Sequence, residues 1–503
     1  MDRVKAVAKN FKAAAVSELV LAAVKFVSRR VFVVWLGKEY LGLSGLFTDI
    51  LSMLSLAELG FGVSITYSLY GPVARGDTEQ IKALMRFYRR VYQIIGGAVL
   101  TAGLALTPFL ECFVKEMPKE IPHISLIYIL NVVNTGISYF FTYKASLLFV
   151  CQKKYVETLI RTTVTLVAAA AQMAVLALPQ TYLYYLLISI GASLVQNAAV
   201  SRRTDRLYPW IREKRVCALP DEIMQDIRRN MSAMVLHRLG AVAVFGTDNL
   251  LISKFVGIAT TGLYSNYTMI RNFLNMMING LFNAIAPALG NLSATESQEQ
   301  KRWVFRCLHF FSAWLFGWMS ICLFWLLDPF IHIWLGDGYL LPRPAVALIV
   351  INFYINSMRI PVANTKSVMG LFWDERYKAV GEAAVNLAVS VVLARRWGIT
   401  GILAGTLIST VSLPVWIEPL GLCRHGLKQS AKEYFADYFL YFSVTAAAGA
   451  LTGLLCALTA ESAAGFFIKA LLCIVVPNGV YLAVYGRTAR FRCCKDTVGR
   501  MKA

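Results

Sequence analysis

Near the start of the chain an otherwise apolar segment carries Glu18, Lys25 and Arg29. At about 100° per helical residue these three fall within about 40° of one another, and so form one charged stripe. Arg30 lies beside it, and later apolar segments carry Lys144, Arg161, Arg238, Arg271 and Arg359. Polar residues recur at helical spacing close to several of these cations. One set is Asn131, Asn134, Ser138 and Thr142; a second is Thr268, Asn272, Asn275, Asn279 and Asn283; a third is Asn352 and Asn356. Guanidinium and ammonium groups bind phosphate or pyrophosphate oxygens, Arg through its bidentate fork. Amide stripes and rings such as Tyr264 and Tyr267 suit sugar hydroxyls and ring faces. The same residue types also serve packing, because asparagines hydrogen-bond between helices and cations near helix ends reach for the interface.

Acidic residues inside apolar segments are fewer: Asp49, Glu58, Asp248, Glu382 and Glu418. Glu382 and Asn386 are one helical turn apart on one face. Together with Asp248, Asn249 and Thr406 they supply oxygens for Na⁺, or Asp248 or Glu382 carries a proton. The alternative is a buried ion pair, such as Asp248 with Arg238 or Lys254. Asp49 and Glu58 are expected to act in gating or structure. No catalytic set is expected, since the five histidines have no ligand or catalytic spacing. The ten cysteines show no CxxC and no Cys/His ligand spacing, which supports neither a zinc site nor a disulfide framework. No cofactor is expected beyond a coupling Na⁺ or H⁺.

Such residues need elements to hold them, and composition says which kind. Of 503 residues 57% are hydrophobic and only 16% charged, against about 25% charged in soluble domains. Mean hydropathy is +0.57, and apolar runs reach about 20 residues, the length that crosses a bilayer core. Soluble, disordered, collagenous and disulfide-scaffold classes are excluded. The net charge of +21, from 50 Lys+Arg against 29 Asp+Glu, reads as basic cytoplasmic loops and not as a nucleic-acid partner.

The expected fold is an all-α polytopic membrane protein with about fourteen helical spans. They run 13–36, 43–70, 91–113, 123–149, 157–178, 182–200, 232–258, 263–292, 304–327, 344–362, 379–394, 398–419, 437–459 and 464–486. The basic N-terminus leads into the first span without a small-residue cleavage site, and reads as a retained helix. Most Lys and Arg outside the spans fall in the N-terminus, the C-terminal tail and the loops on that same side. The opposite loops hold Lys38, Lys115, Lys119, Arg343, Arg395 and Arg396. Both termini are therefore expected in the cytoplasm. The expected organisation is an N-lobe at 1–200, a cytoplasmic linker at 201–231, a C-lobe at 232–419, and two further helices with a basic tail at 420–503. Asp221–Asn230 within the linker reads as an amphipathic surface helix.

The halves repeat. Gly37-Lys-Glu-Tyr-Leu-Gly42-Leu43 follows span 1, and Gly257-Ile-Ala-Thr-Thr-Gly262-Leu263 follows span 7. Pro72 precedes an acidic loop ending in Lys82, and Pro287 precedes one ending in Lys301. Thr107-Pro-Phe109 pairs with Asp328-Pro-Phe330. At one constant offset, Asn134-Thr135, Lys144 and Tyr155 pair with Asn356-Ser357, Lys366 and Tyr377. Six spans per repeat is an even number, so the halves share topology about an axis along the membrane normal. Transporters that rock two such lobes are built this way.

Two stretches resemble a known family. Tyr40-Leu-Gly-Leu-Ser-Gly-Leu-Phe-Thr-Asp-Ile-Leu-Ser-Met-Leu-Ser-Leu-Ala-Glu58-Leu-Gly-Phe-Gly62 with Tyr67–Ala74 resembles the second-helix signature of Wzx-type polysaccharide flippases. Gly246-Thr-Asp248-Asn249-Leu-Leu-Ile-Ser-Lys254 with Gly262-Leu-Tyr-Ser-Asn-Tyr267 resembles their seventh and eighth helices. These belong to the multidrug/oligosaccharidyl-lipid/polysaccharide exporter superfamily, and the pattern extends over about residues 10–420. The resemblance implies two six-helix lobes around a cationic cavity. It implies alternating-access transfer of undecaprenyl-pyrophosphate-linked oligosaccharide to the outer leaflet of a bacterial cytoplasmic membrane, with a polysaccharide polymerase as partner. Related lipid II flippases use their last two helices to hold the lipid tail, which implies the same for spans 13 and 14. Their Na⁺ site falls where Asp248, Glu382, Asn386 and Thr406 lie.

Three other functions compete. A multidrug antiporter of the superfamily exports cations and wants an acidic cavity, whereas this chain is basic. A lipid II flippase shares the mechanism and differs in substrate. A membrane-embedded polymerase or ligase needs a sizeable external loop with catalytic Arg or His, and the external loops here are short.

Overall fold

The computed structural model describes residues 3–58, 61–118, 121–176, 181–213, 219, 224, 227, 247–371, 378–460, 462–488 and 490–492. Helices follow one another throughout, with no strand among the described residues. They are α1 (Arg3–Leu54), α2 (Phe61–Arg75), α3 (Thr78–Ala105), α4 (Ile124–Val150), α5 (Lys154–Val175), α6 (Thr181–Leu207) and α7 (Asp248–Phe255). The second half continues with α8 (Ile258–Thr295), α9 (Gln298–Leu335), α10 (Arg343–Val368), α11 (Lys378–Ser412), α12 (Pro414–Gly421), α13 (Ala431–Cys456) and α14 (Ala463–Tyr485). Eight helical segments are long and apolar enough to cross a membrane, and α3 joins them when taken with the bent turn Thr107–Phe113. The protein is an all-α, multi-pass membrane protein. Each expected span overlaps a helix, except that the seventh lies outside the described residues before 247.

Glycines set where long helices turn. Gly37 inside α1 has φ of 79° and Gly398 inside α11 has φ of 55°, values that a side chain makes costly. Each therefore divides one continuous helix into two helical segments. The second expected span is broken again, by a 3-10 turn at Ser55–Glu58 that leads into α2.

The chain forms two compact units, Met1–Gly262 and Leu263–Ala503. In the first, a buried cluster of Leu69, Leu84, Met85, Tyr88, Tyr92 and Leu147 joins α2, α3 and α4. Segments after α6 return to this cluster: Tyr208, Trp210, Leu219 and fully buried Ile227 all pack on it. Lys82 fastens the same segment by bonding Glu213 at 2.5 Å, and it also bonds Glu79 at 2.8 Å. The expected linker is thus folded onto the first unit where it is described; of the expected surface helix at 221–230, only Met224 and Ile227 are described.

In the second unit, α9 stitches α13 and α14 to the bundle with its indoles. Trp314 donates to the Asn478 side chain at 2.7 Å, Trp318 to the Cys473 carbonyl at 3.1 Å and Trp325 to the Gly449 carbonyl at 3.0 Å. Indole N–H groups need such acceptors when buried. Buried His309 stacks on Tyr434 at 4.6 Å in the same seam. Of the described cysteines only Cys307 is disulfide-bonded, a pairing the sequence did not signal.

The repeat extends to local chemistry. Asp77 caps α3 by accepting from the Gln80 N–H at 3.0 Å, and Ser297 caps α9 by accepting from the Gln300 N–H at 3.3 Å. Just beyond each cap a cation holds the segment that follows its own six-helix set. Lys82 binds Glu213, and Arg302 donates to the carbonyls of Leu427 and Lys428.

Candidate functional site

The expected cationic residues fall into two groups by their partners. Arg161 on α5 donates to Glu18 on α1 at 2.6 Å. Lys144 on α4 bonds Asp205 at 2.7 Å and Ser201 at 2.8 Å on α6. Arg359 on α10 is enclosed by acids: it reaches Glu418 through two nitrogens at 3.0 and 2.7 Å, Asn356 at 2.9 Å and Glu382 at 3.5 Å. Lys378 completes this cluster through Glu418. These three cations carry carboxylate partners and balance charge within their own bundles. The carboxylates lie far away in sequence, which is why spacing alone did not reveal them.

The second group comprises Lys25, Arg29, Arg30 and Arg271. Lys25 is exposed on α1 one turn from half-buried Arg29. Arg29 interacts electrostatically with Tyr185 on α6, and Tyr185 stacks on Tyr182 at 6.3 Å. Phe32 meets both tyrosine rings edge-on, so Arg29 borders an aromatic wall. In the sequence the only signal of that wall is the helical i, i+3 spacing of Tyr182 and Tyr185. Arg30 departs from the stripe, falling beside the exposed face of Val20, Val27 and Val34. Arg238 lies outside the described residues.

Helix α8 has three faces. Ile278 and Phe282 are buried in packing, while Met277 and Leu281 are exposed and apolar, as a lipid-facing surface requires. The remaining face carries Asn272, Asn275, Asn279 and Asn283, within about 80° of arc. All but half-buried Asn275 are exposed. Exposed amides on a helix that the sequence expects to span a membrane line water or a polar ligand, because lipid leaves their hydrogen bonds unmade. Arg271 flanks this face, and its Nε is buried with no hydrogen-bond partner among the described residues. Fully buried Asn266, whose amide atoms both lack partners among the described residues, is a further polar group that the periodicity did not expose.

The expected ion-site residues sit in different units. Glu382 accepts from Thr410 at 3.3 Å, and Asn386 donates to Thr406 at 3.1 Å and Ser409 at 3.4 Å. This buried polar seam between the two halves of α11 is continuous with Arg359. The two halves come this close because Gly401 and Gly405 lack side chains; a Cβ on Gly405 would meet Ser390 Oγ at 2.2 Å. Asp248 lies in the first unit on α7, next to Asp49, whose carboxylate accepts a hydrogen bond from Asn249. Glu58 stands at the helix break before α2, where its Oε1 accepts from Tyr92 at 3.0 Å.

The architecture has solved counterparts. Its fold is that of the MOP-superfamily transporters. The lipid II flippase MurJ, in an inward closed conformation, shares 12% identity over 95% of this chain and 98% of its own, with a TM-score of 0.63. An inward-facing multidrug-resistance MATE family transporter shares 13% over 81% of this chain and 95% of its own, at 0.60. A MOP superfamily transporter from Pyrococcus furiosus, for which a reversed pocket polarity suggests a different function, shares 16% over 86% and 98%, at 0.54. No family model and no curated protein matches the chain. These neighbours are transporters and a flippase, and none is an enzyme.

Proposed function

We propose that the chain is a Wzx-type flippase that moves undecaprenyl-pyrophosphate-linked oligosaccharide from the cytoplasmic to the outer leaflet by alternating access. It works in a bacterial cytoplasmic membrane with both termini inside and a polysaccharide polymerase as partner. The observation that carries this reading is the exposed asparagine face of α8 flanked by Arg271. Amides without partners among the described residues offer donors and acceptors to sugar hydroxyls, and Arg271 adds a positive charge. In the first unit, Lys25 and Arg29 beside the tyrosine wall suit a phosphate with an attached ring. A cation-exporting drug antiporter is disfavoured by the same charges.

Lipid II is the second substrate reading, because MurJ matches 95% of this chain where the drug transporter matches 81%. The larger coverage is consistent with a role for α13 and α14 in holding a lipid tail. Coupling falls to Na⁺ or H⁺ at Asp248 or at the seam of Glu382, Asn386 and Thr406. Binding of substrate or ion must differ between the two states for the cycle to have direction.

Thermal unfolding of the purified protein tests the binding half of this reading. A ligand that binds only the folded state raises stability by mass action. Undecaprenyl pyrophosphate should raise the melting temperature more than undecaprenol does, with the difference reduced in Arg29→Ala. Equal effects of alcohol and pyrophosphate contradict a phosphate-reading site.

A further inference from the structure

The first turns of the two repeats grip one another through glycine. Gly37 and Gly257 both have positive φ, 79° and 134°, and reverse the chain after spans 1 and 7. Five residues later in each repeat stands a glycine whose missing side chain is required by the other turn. A Cβ on Gly42 would lie 1.9 Å from the carbonyl oxygen of Ile258, and one on Gly262 would lie 2.1 Å from that of Lys38. Ile258 follows Gly257 as Lys38 follows Gly37, so the two contacts are equivalent, one for each repeat. Backbone touches backbone at this distance only where both Cβ atoms are absent, as at small-residue crossings of membrane helices. The seam continues along α7, where the Lys115 N–H donates to the Ser253 carbonyl at 3.1 Å and Asn249 donates to Asp49.

We propose that Gly42 and Gly262 are positioning residues for transport. They form a clasp that closes the outer side and must part before a head group is released there. This rests on the topology and transport reading above, which places the loops after spans 1 and 7 outside. Contacts of the Cα–H···O=C kind are individually weak. A clasp built from two of them holds one state without making it permanent. A methyl on either glycine cannot be absorbed by a side-chain rotation, because its obstacle is a backbone carbonyl. Such a variant therefore shifts the population toward the parted state. Gly45, one turn along, is different: its Cβ would meet only the Thr261 methyl, at an ordinary 3.9 Å.

The test uses Thr261→Cys, a near-isosteric change at a fully buried position, in full-length protein whose native cysteines are replaced. A membrane-impermeant maleimide is applied from the outer side. Labelling should be at least tenfold faster in Gly42→Ala or Gly262→Ala than in the parent, and unchanged in Gly45→Ala. Equal, slow labelling in all four proteins overturns the clasp, and this readout needs no substrate, so it stands apart from the flippase assignment. If the glycine variants do not fold, Lys38→Cys with Thr260→Cys joined by a short bifunctional thiol reagent gives the converse measurement. Joined protein should still be stabilised by undecaprenyl pyrophosphate while no head group emerges outside, until reductant cleaves a disulfide-containing linker. Head-group exposure that persists in the joined protein also overturns the proposal.

Discussion

Arg359 holds Glu418 with two nitrogens of its guanidinium, Nε at 3.0 Å and Nη2 at 2.7 Å. Both residues lie within the second unit, and Lys378 shares the same carboxylate. Removing one partner of such a pair strands a buried charge, whereas replacing both by apolar groups does not. Glu418→Gln should therefore lower stability by about 3–5 kcal/mol. Arg359→Met combined with Glu418→Leu should cost much less than the sum of the two single changes. Thermal unfolding of the parent, Glu418→Gln, the two other single variants and the double variant in one detergent decides the matter, and strict additivity in the cycle would show that the pair is uncoupled.

The asparagine face of α8 predicts a separation between stability and binding. Asn279 is exposed, and surface changes away from buried features stay within about 0.5 kcal/mol. Asn279→Leu should leave the melting temperature nearly unchanged. Loss of one hydrogen bond to a sugar hydroxyl, about 0.5–1.5 kcal/mol, should weaken the affinity for a lipid-linked oligosaccharide roughly 2- to 12-fold. A large fall in melting temperature with intact affinity would instead mark the face as a packing surface.

How much of this was legible in the sequence depends on range. Spans and paired glycines are local or repeated signals, so Gly37 with Gly257, and the acidic loops ending in Lys82 and Lys301, are readable as equivalent punctuation, whereas the capping by Asp77 and Ser297 inside those loops comes from the structure. Helical periodicity likewise put Lys25 and Arg29 on one face. It cannot say which neighbour that face meets. Glu18 and Arg161 are 143 positions apart, and Lys144 and Asp205 are 61 apart, so tertiary packing alone pairs them. Arg30 shows the converse limit, since adjacency in sequence turned it by about 100° toward the valine face.

Outside the membrane, Lys82 supplies a pH prediction. Hydrogen bonds that Lys82 donates to Glu213 first and Glu79 second raise its pKa above the ordinary lysine value. A group whose pKa is raised on folding contributes fully below its unfolded value, near 10.4, and the contribution fades as pH climbs through the folded value. The segment at 208–213 should thus stay attached at neutral pH and loosen above about pH 10.4. In Lys82→Met it should be loose already at neutral pH. Trypsin cleavage around 206–215 in that variant should be faster at pH 8. Equal rates in variant and parent would show that the aromatic contacts of Tyr208 and Trp210 hold the segment unaided.

Transfer of the head group across the bilayer is measured in proteoliposomes. Vesicles carry a fluorescent undecaprenyl-pyrophosphate oligosaccharide whose head group is exposed only after transfer to the leaflet reached by an added impermeant hydrolase. The rate is scored under imposed Na⁺ and H⁺ gradients. A flippase with Arg29 at its binding site gives protein-dependent exposure that falls at least tenfold in Arg29→Ala without loss of protein from the membrane. No exposure under any gradient, or an unchanged rate in Arg29→Ala, contradicts that assignment and turns attention first to lipid II and then to cationic drugs.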